Sequence, residues 1–234
     1  MKKLNFLLTI ASFNVLLVTI ERFSPTTKIT LQPYSFLHLH EVFQITVLIL
    51  ITVLVPFLIL KELTQNFGLL KTKRGLILGS TFLLGVYFYA TGNGAHEIAS
   101  YLFNAFCPIY NFTTSACRSM FFNDYYFGNI LYFIGAYLMY IPLILFEIQK
   151  PNTTFTKKDL TITTINSLVY SFAIFAYAAF DRVLVGLAYT LITTATIDYF
   201  LITSKKKFVQ IPFTYYNGLA YTLATIASLI IRLR

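Results

Sequence analysis

Val42–Leu60 reads VFQITVLILITVLVPFLIL, nineteen consecutive residues without a formal charge. As a helix rising about 1.5 Å per residue, a run of this length covers the hydrocarbon core of a bilayer. The same pattern recurs on both sides of it. Long apolar stretches over 4–21, 42–60, 75–95, 126–147, 161–180, 183–203 and 211–231 alternate with short basic or polar connections. Lipid gives the backbone no hydrogen-bonding partner, so each crossing segment has to satisfy its own amides as a helix. The expected fold is therefore all-α: a polytopic transmembrane bundle of about seven spans, with 1-234 as a single integral membrane domain.

Composition leads to the same class. Only 12% of the residues are charged and 57% are hydrophobic, whereas an average soluble domain carries about twice that charge. The net charge of +9 would suit nucleic acid, but the cations sit in short clusters between apolar runs and not along an amphipathic face. They read as topology signals and contacts to anionic membrane lipids, so no nucleic-acid partner is expected.

The lysines set an orientation. With the N-terminus in the cytoplasm, Lys2, Lys3, Lys61, Lys71, Lys73, Arg74, Lys150, Lys157, Lys158 and Lys205–Lys207 fall on one side, twelve of the 18 cations. The positive-inside rule then gives an N-in, C-out, multi-pass protein, expected in the cell membrane. The first span follows Met1-Lys2-Lys3 as a secretory signal would. It ends, however, in Val18-Thr19-Ile20-Glu21-Arg22 without a small-residue cleavage pattern, and is expected to remain as a helix. Gly92-Asn93-Gly94 is expected to end or bend the third helix, with a second, partly interfacial helix running from His96 towards Asn104. Asn123 or Asp124 is expected to cap the start of span four.

In this orientation all three histidines, His38, His40 and His96, fall at the outer ends of spans two and three. Glu41, Glu97, Asp124 and Asp181 share that level. Asn93, His96, Glu97, Ser100 and Asn104 recur at intervals of three and four, and such a polar stripe should face the bundle, where its cost in lipid is avoided. Imidazole and carboxylate are good ligands for zinc, so His38, His40 and His96 are the candidate metal ligands for a divalent cofactor. Glu97, Asp124 and Asp181 are the candidate catalytic carboxylates, one of them acting as base on a bound water. The bland alternative is that these residues serve as helix caps and interfacial hydrogen-bonding groups.

The seven spans and the His/Asp content are similar to membrane hydrolases of the ceramidase and adiponectin-receptor type. Those proteins carry a His pair in their last helix, and span 211–231 has no histidine, so none of their residues is carried over. The absence of a lysine in that span likewise argues against a retinal Schiff base. Cys107 and Cys117, the only cysteines, lie in the outer loop between spans three and four, where a disulfide is expected. The tyrosines of the outer half, Tyr87, Tyr89, Tyr101, Tyr110, Tyr125, Tyr126 and Tyr132, read first as an interfacial belt.

Three functions fit these features. The sharpest is a metal-dependent hydrolase with an outward-facing polar pocket, acting on a lipid or lipid-linked substrate. A small-solute or lipid carrier or channel is the second, and would use Asn14, Gln44, Asn166 and Asn217 at mid-depth. A non-catalytic accessory subunit of a membrane complex is the third, helped by the small-residue edges Gly79/Ser80, Gly128/Gly135 and Ala173/Ala176.

Overall fold

The computed structural model describes residues 2–107, 114–152 and 155–234. Among them are seven long helices and no strand beyond one isolated bridge, Thr30 to His38. The helices are α1 (Lys2–Glu21), α2 (Leu39–Leu63), α3 (Lys73–Phe106), α4 (Ser115–Gln149), α5 (Lys157–Phe180), α6 (Val185–Thr203) and α7 (Pro212–Arg232). The first six are long and apolar enough to cross a membrane. Helix α7 has the length but a more polar composition, because its Thr214, Asn217, Tyr221, Thr225 and Ser228 are turned into the bundle. Its apolar residues, Leu223, Ile226, Ile230 and Ile231, face outward, as lipid requires.

Contacts between helix ends confirm the alternating course of the chain. At the lysine-rich end, Lys3 pairs with Glu62 at 3.0 Å and Asn5 donates to Asp159 at 3.0 Å. Glu147 is buried there, near the end of α4, and its carboxylate accepts from the backbone N–H groups of Phe213 and Thr214 at 2.8 and 2.7 Å and from the Thr214 hydroxyl at 2.7 Å. It thus satisfies orphan donors at the start of α7 from a different helix. Glu147→Ala should leave these donors buried without partners and destabilise the protein by about 2 kcal/mol. An unchanged melting temperature in detergent would contradict this role.

Two local expectations are corrected. Helix α3 runs unbroken through Gly92-Asn93-Gly94 as one 34-residue helix, with Asn93 donating to the Tyr89 carbonyl at 3.0 Å. Gly92 serves close approach and not a bend, since a Cβ there would lie 2.2 Å from the Tyr132 backbone nitrogen on α4. Helix α4, in turn, begins at Ser115, where Thr114 accepts from the Cys117 N–H at 3.2 Å. Asn123 and Asp124 are therefore not caps: they lie inside the helix, in a π-helical turn over Asn123–Gly128. Cys117 in these extra turns is disulfide-bonded to Cys107 at the end of α3, which ties the polar start of α4 to that helix. Replacing both cysteines by serine should cost about 2 kcal/mol through the freed loop, read as a lower melting temperature under oxidising conditions only.

The tyrosines divide between belt and core. Tyr87 is 62% exposed, whereas Tyr89 and Tyr101 are buried, and Tyr110 lies outside the described residues. Deeper in the bundle, Tyr170 stacks on Tyr216 at 5.3 Å, and the hydroxyls of Tyr189 and Tyr221 meet at 2.7 Å. Tyr216 also meets the Ser12 hydroxyl at 2.8 Å. Each ring thereby fills apolar space while its hydroxyl finds a partner.

Candidate functional site

The end of the bundle opposite the lysines gathers Glu21 from α1, His38–Gln44 at the start of α2, His96 and Glu97 from α3, Asp124 from α4, and the Asp181-Arg182 link between α5 and α6. The first group is set by a capping box. The His38 backbone N–H donates to Glu41 Oε2 at 2.8 Å, and His38 Nδ1 lies 3.3 Å from Glu41 Oε1. The preceding loop is held over it by the Tyr101 hydroxyl, which donates to the Ser35 carbonyl, and by the edge contact of the His38 and Tyr101 rings at 4.9 Å.

His40 joins three helices. Its Nδ1 contacts the Glu21 carboxylate at the end of α1, and its Nε2 lies 3.8 Å from Glu97 Oε2 on α3. Gln44 adds a second tie to α1 by donating to the Val18 carbonyl at 3.1 Å and to Glu21 at 3.5 Å. This glutamine opens a π-helical turn, Gln44–Leu48, that mirrors the one in α4. Single π-turns inside α-helices are rare and often mark functional sites.

The second group is His96 with Asp124. Nδ1 of His96 lies 2.8 Å from Asp124 Oδ1 and 3.0 Å from the Asp124 backbone carbonyl. The hydrogen-bond geometry is met toward the carbonyl, so the carboxylate contact is ionic. Asp124 is only 1% exposed, which is costly for a carboxylate without a charged or hydrogen-bonding partner. What allows the approach is Gly128, one turn along α4, where a Cβ would lie 2.9 Å from the His96 Cα.

Asp181 completes the set. Burial pushes its carboxyl up from the usual range, opposed by the Arg182 backbone N–H and by His96. Arg182 places its guanidinium 5.4 Å from the centre of the Tyr125 ring, within cation–π range. Arg232, at the end of α7, donates to the backbone carbonyls of Ala178 and Asp181, capping the C-terminus of α5.

Each imidazole therefore has a carboxylate partner: His38 has Glu41, His40 has Glu21 and Glu97, and His96 has Asp124. A carboxylate on one ring nitrogen fixes the tautomer and raises the basicity of the other. The expected zinc site is a different matter. Among the described residues, no group of three or more His, Cys, Asp or Glu side chains is arranged to hold a metal ion, so His38, His40 and His96 have no shared ligand centre behind them.

Of the polar stripe on α3, His96 and Glu97 reach the site, while Asn104 is exposed and bonds Ser100 at 3.3 Å on its own helix. The site also contains two residues that sequence reasoning had not assigned to it. Glu21 was visible as the acid closing span one at the same level as the histidines. Gln44 had been grouped with mid-depth residues because only the antiparallel packing of α1 and α2 reveals its partner. These features define a polytopic helical membrane protein with a partly buried imidazole–carboxylate network at one end. No protein-family model, curated protein or solved structure matches the chain.

Proposed function

We propose that this protein lies in the cell membrane with its lysine-rich end in the cytoplasm, and that its imidazole–carboxylate network hydrolyses a lipid or lipid-linked substrate at the outer leaflet. The observation that carries this reading is the His96–Asp124 pair, a half-buried imidazole on a buried carboxylate between two helices whose backbones nearly touch. Glu97, beside His40, takes a proton from water as the water oxygen bonds to the electrophilic carbon or phosphorus of the substrate. As its bond to that centre breaks, the leaving oxygen takes a proton from His96, which Asp124 orients and holds in its charged form. The chemistry is written on acid–base groups alone because each histidine already has its own carboxylate.

The polar groups deeper in the bundle favour this reading over a channel. Asn166 donates to Thr9 at 2.8 Å, Thr194 meets Thr225 at 2.7 Å, and Asn14 donates to the Leu48 carbonyl at 3.1 Å. These bonds join helices and do not line a path. A carrier reading draws on one specific observation. Asn14 Oδ1, Thr193 Oγ1, Asn217 Oδ1 and Ser228 Oγ are buried without a hydrogen-bond partner.

The test is turnover in proteoliposomes containing labelled glycerolipids, sphingolipids and lipid-linked phosphates, with release of head group or fatty acid followed by mass spectrometry. Product is expected from one substrate class with the wild-type protein. Absence of product from every class, with the protein still folded, would overturn the hydrolase. Solute flux through the same vesicles would instead support the carrier.

A further inference from the structure

An open apolar groove of about 300 Å³ lies between α4 and α6. Ile130, Ile134 and Leu138 form one wall and Val185, Tyr189 and Ile192 the other. These positions fall at helical spacing, so the groove follows the helix axes over about 12 Å from the site end toward the middle of the bundle. Its floor is closed by Phe133, stacked on Tyr189 at 4.5 Å, which leaves the groove apolar throughout.

The upper end of this groove carries a cation. Arg182 stands three residues before Val185, and its guanidinium reaches across to Tyr125 on α4, five residues before Ile130. It therefore spans the gap between the two helices where the groove opens. Arg22 lies within electrostatic range of the same tyrosine and of Asp181. The two ends of the bundle also differ in cation type: Arg22, Arg118, Arg182, Arg232 and Arg234 stand with Lys28 at the site end, whereas lysine dominates the other. A guanidinium presents a planar fork that fits phosphate oxygens in pairs, which an ammonium cannot do.

We infer that the α4–α6 groove holds one acyl chain of an anionic phospholipid, whose phosphate is met by Arg182. The inference rests on the lipid reading of the site for its meaning, since the head group would sit beside Asp181, next to His96 and Asp124. The binding itself requires no turnover.

Binding is tested by native mass spectrometry of the full-length protein in detergent, titrated separately with phosphatidylglycerol and phosphatidylcholine of matched chains. Wild-type protein should retain phosphatidylglycerol about fivefold better, the preference expected for one cation at a head group whose phosphate charge is not cancelled by choline. Arg182→Gln should equalise the two lipids. Ile134→Trp and Ile192→Trp should each reduce retention of both. Those residues are 44% and 59% exposed, so the added bulk enters the groove and spares the core. Equal retention of both lipids by wild type, meaning annular lipid only, would overturn the inference, as would a preference that survives Arg182→Gln. Because retention is read without catalysis, failure here leaves the turnover test standing, and selective retention without turnover would overturn the hydrolase and not the groove.

Discussion

Gly92→Ala should destabilise the protein by about 3 kcal/mol, while Gly94→Ala, two residues along the same helix, should stabilise it by about 0.5–1 kcal/mol. The opposite signs follow from what each new methyl group meets. At Gly94 a Cβ has nothing within 4 Å, so alanine only improves helix propensity. At Gly92 it would lie 2.2 Å from the Tyr132 backbone nitrogen and 2.7 Å from the Gly128 carbonyl oxygen. Backbone cannot rotate aside as a side chain can, so the helices must separate. The same holds one heptad along, where a Cβ on Gly135 would lie 2.2 Å from the Tyr89 nitrogen and one on Gly85 2.7 Å from the Met139 nitrogen.

These four glycines make α3 and α4 the most extensively packed pair in the bundle. Without a hydrophobic driving force between helices in lipid, close van der Waals contact of this kind is a main source of association. The expected readout is a lower melting temperature and less monodisperse protein for Gly92→Ala and Gly135→Ala, with Gly94→Ala at or above wild type. Wild-type stability in both seam variants would show that the helices are not held at this distance.

The seam also shows what the sequence could disclose. Gly85 and Gly92, like Gly128 and Gly135, are seven residues apart, so each pair lies on one helix face, and the second pair was legible as a packing edge. Their partnership across two helices was not legible, because spacing within a segment says nothing of its neighbour. The helices themselves were legible from uninterrupted apolar length. Helix α7 needed the structure to explain it, since its buried polar face is the reverse of a water-soluble pattern. The site was half readable. Charge alternation brought His38, His40, His96, Glu41, Glu97, Asp124 and Asp181 to one end, but the pairing of each imidazole depends on rotations of α2 and α4. Both helices carry a π-turn beside the site, which shifts the face that the following residues present and breaks the regular spacing a sequence reading assumes. Glu147 went unread as a structural residue because its partners are backbone amides of another helix.

His96→Gln should lower lipid turnover by about 10²–10⁴-fold, the range for loss of a positioned general acid. Glutamine keeps a hydrogen-bonding side chain of similar reach but cannot give up a proton at neutral pH. Asp124→Asn should approach the same loss, because the amide can still occupy the pocket while failing to orient and charge-stabilise the ring. If the two residues act as one unit, the double variant will be little worse than His96→Gln alone, well short of the product of the two losses. Additive losses would mean that Asp124 and His96 contribute separately, and that the short contact between them is structural. The comparison needs a control for folding. Glu147→Gln serves, since it perturbs a buried carboxylate at the far end of α4 and should lower the melting temperature without changing turnover per folded molecule. A His96→Gln protein that melts like wild type yet still turns over substrate within threefold would remove the imidazole from the chemistry. The network would then be a set of interhelical ties whose purpose is to hold α1, α2, α3 and α4 together where they leave the membrane.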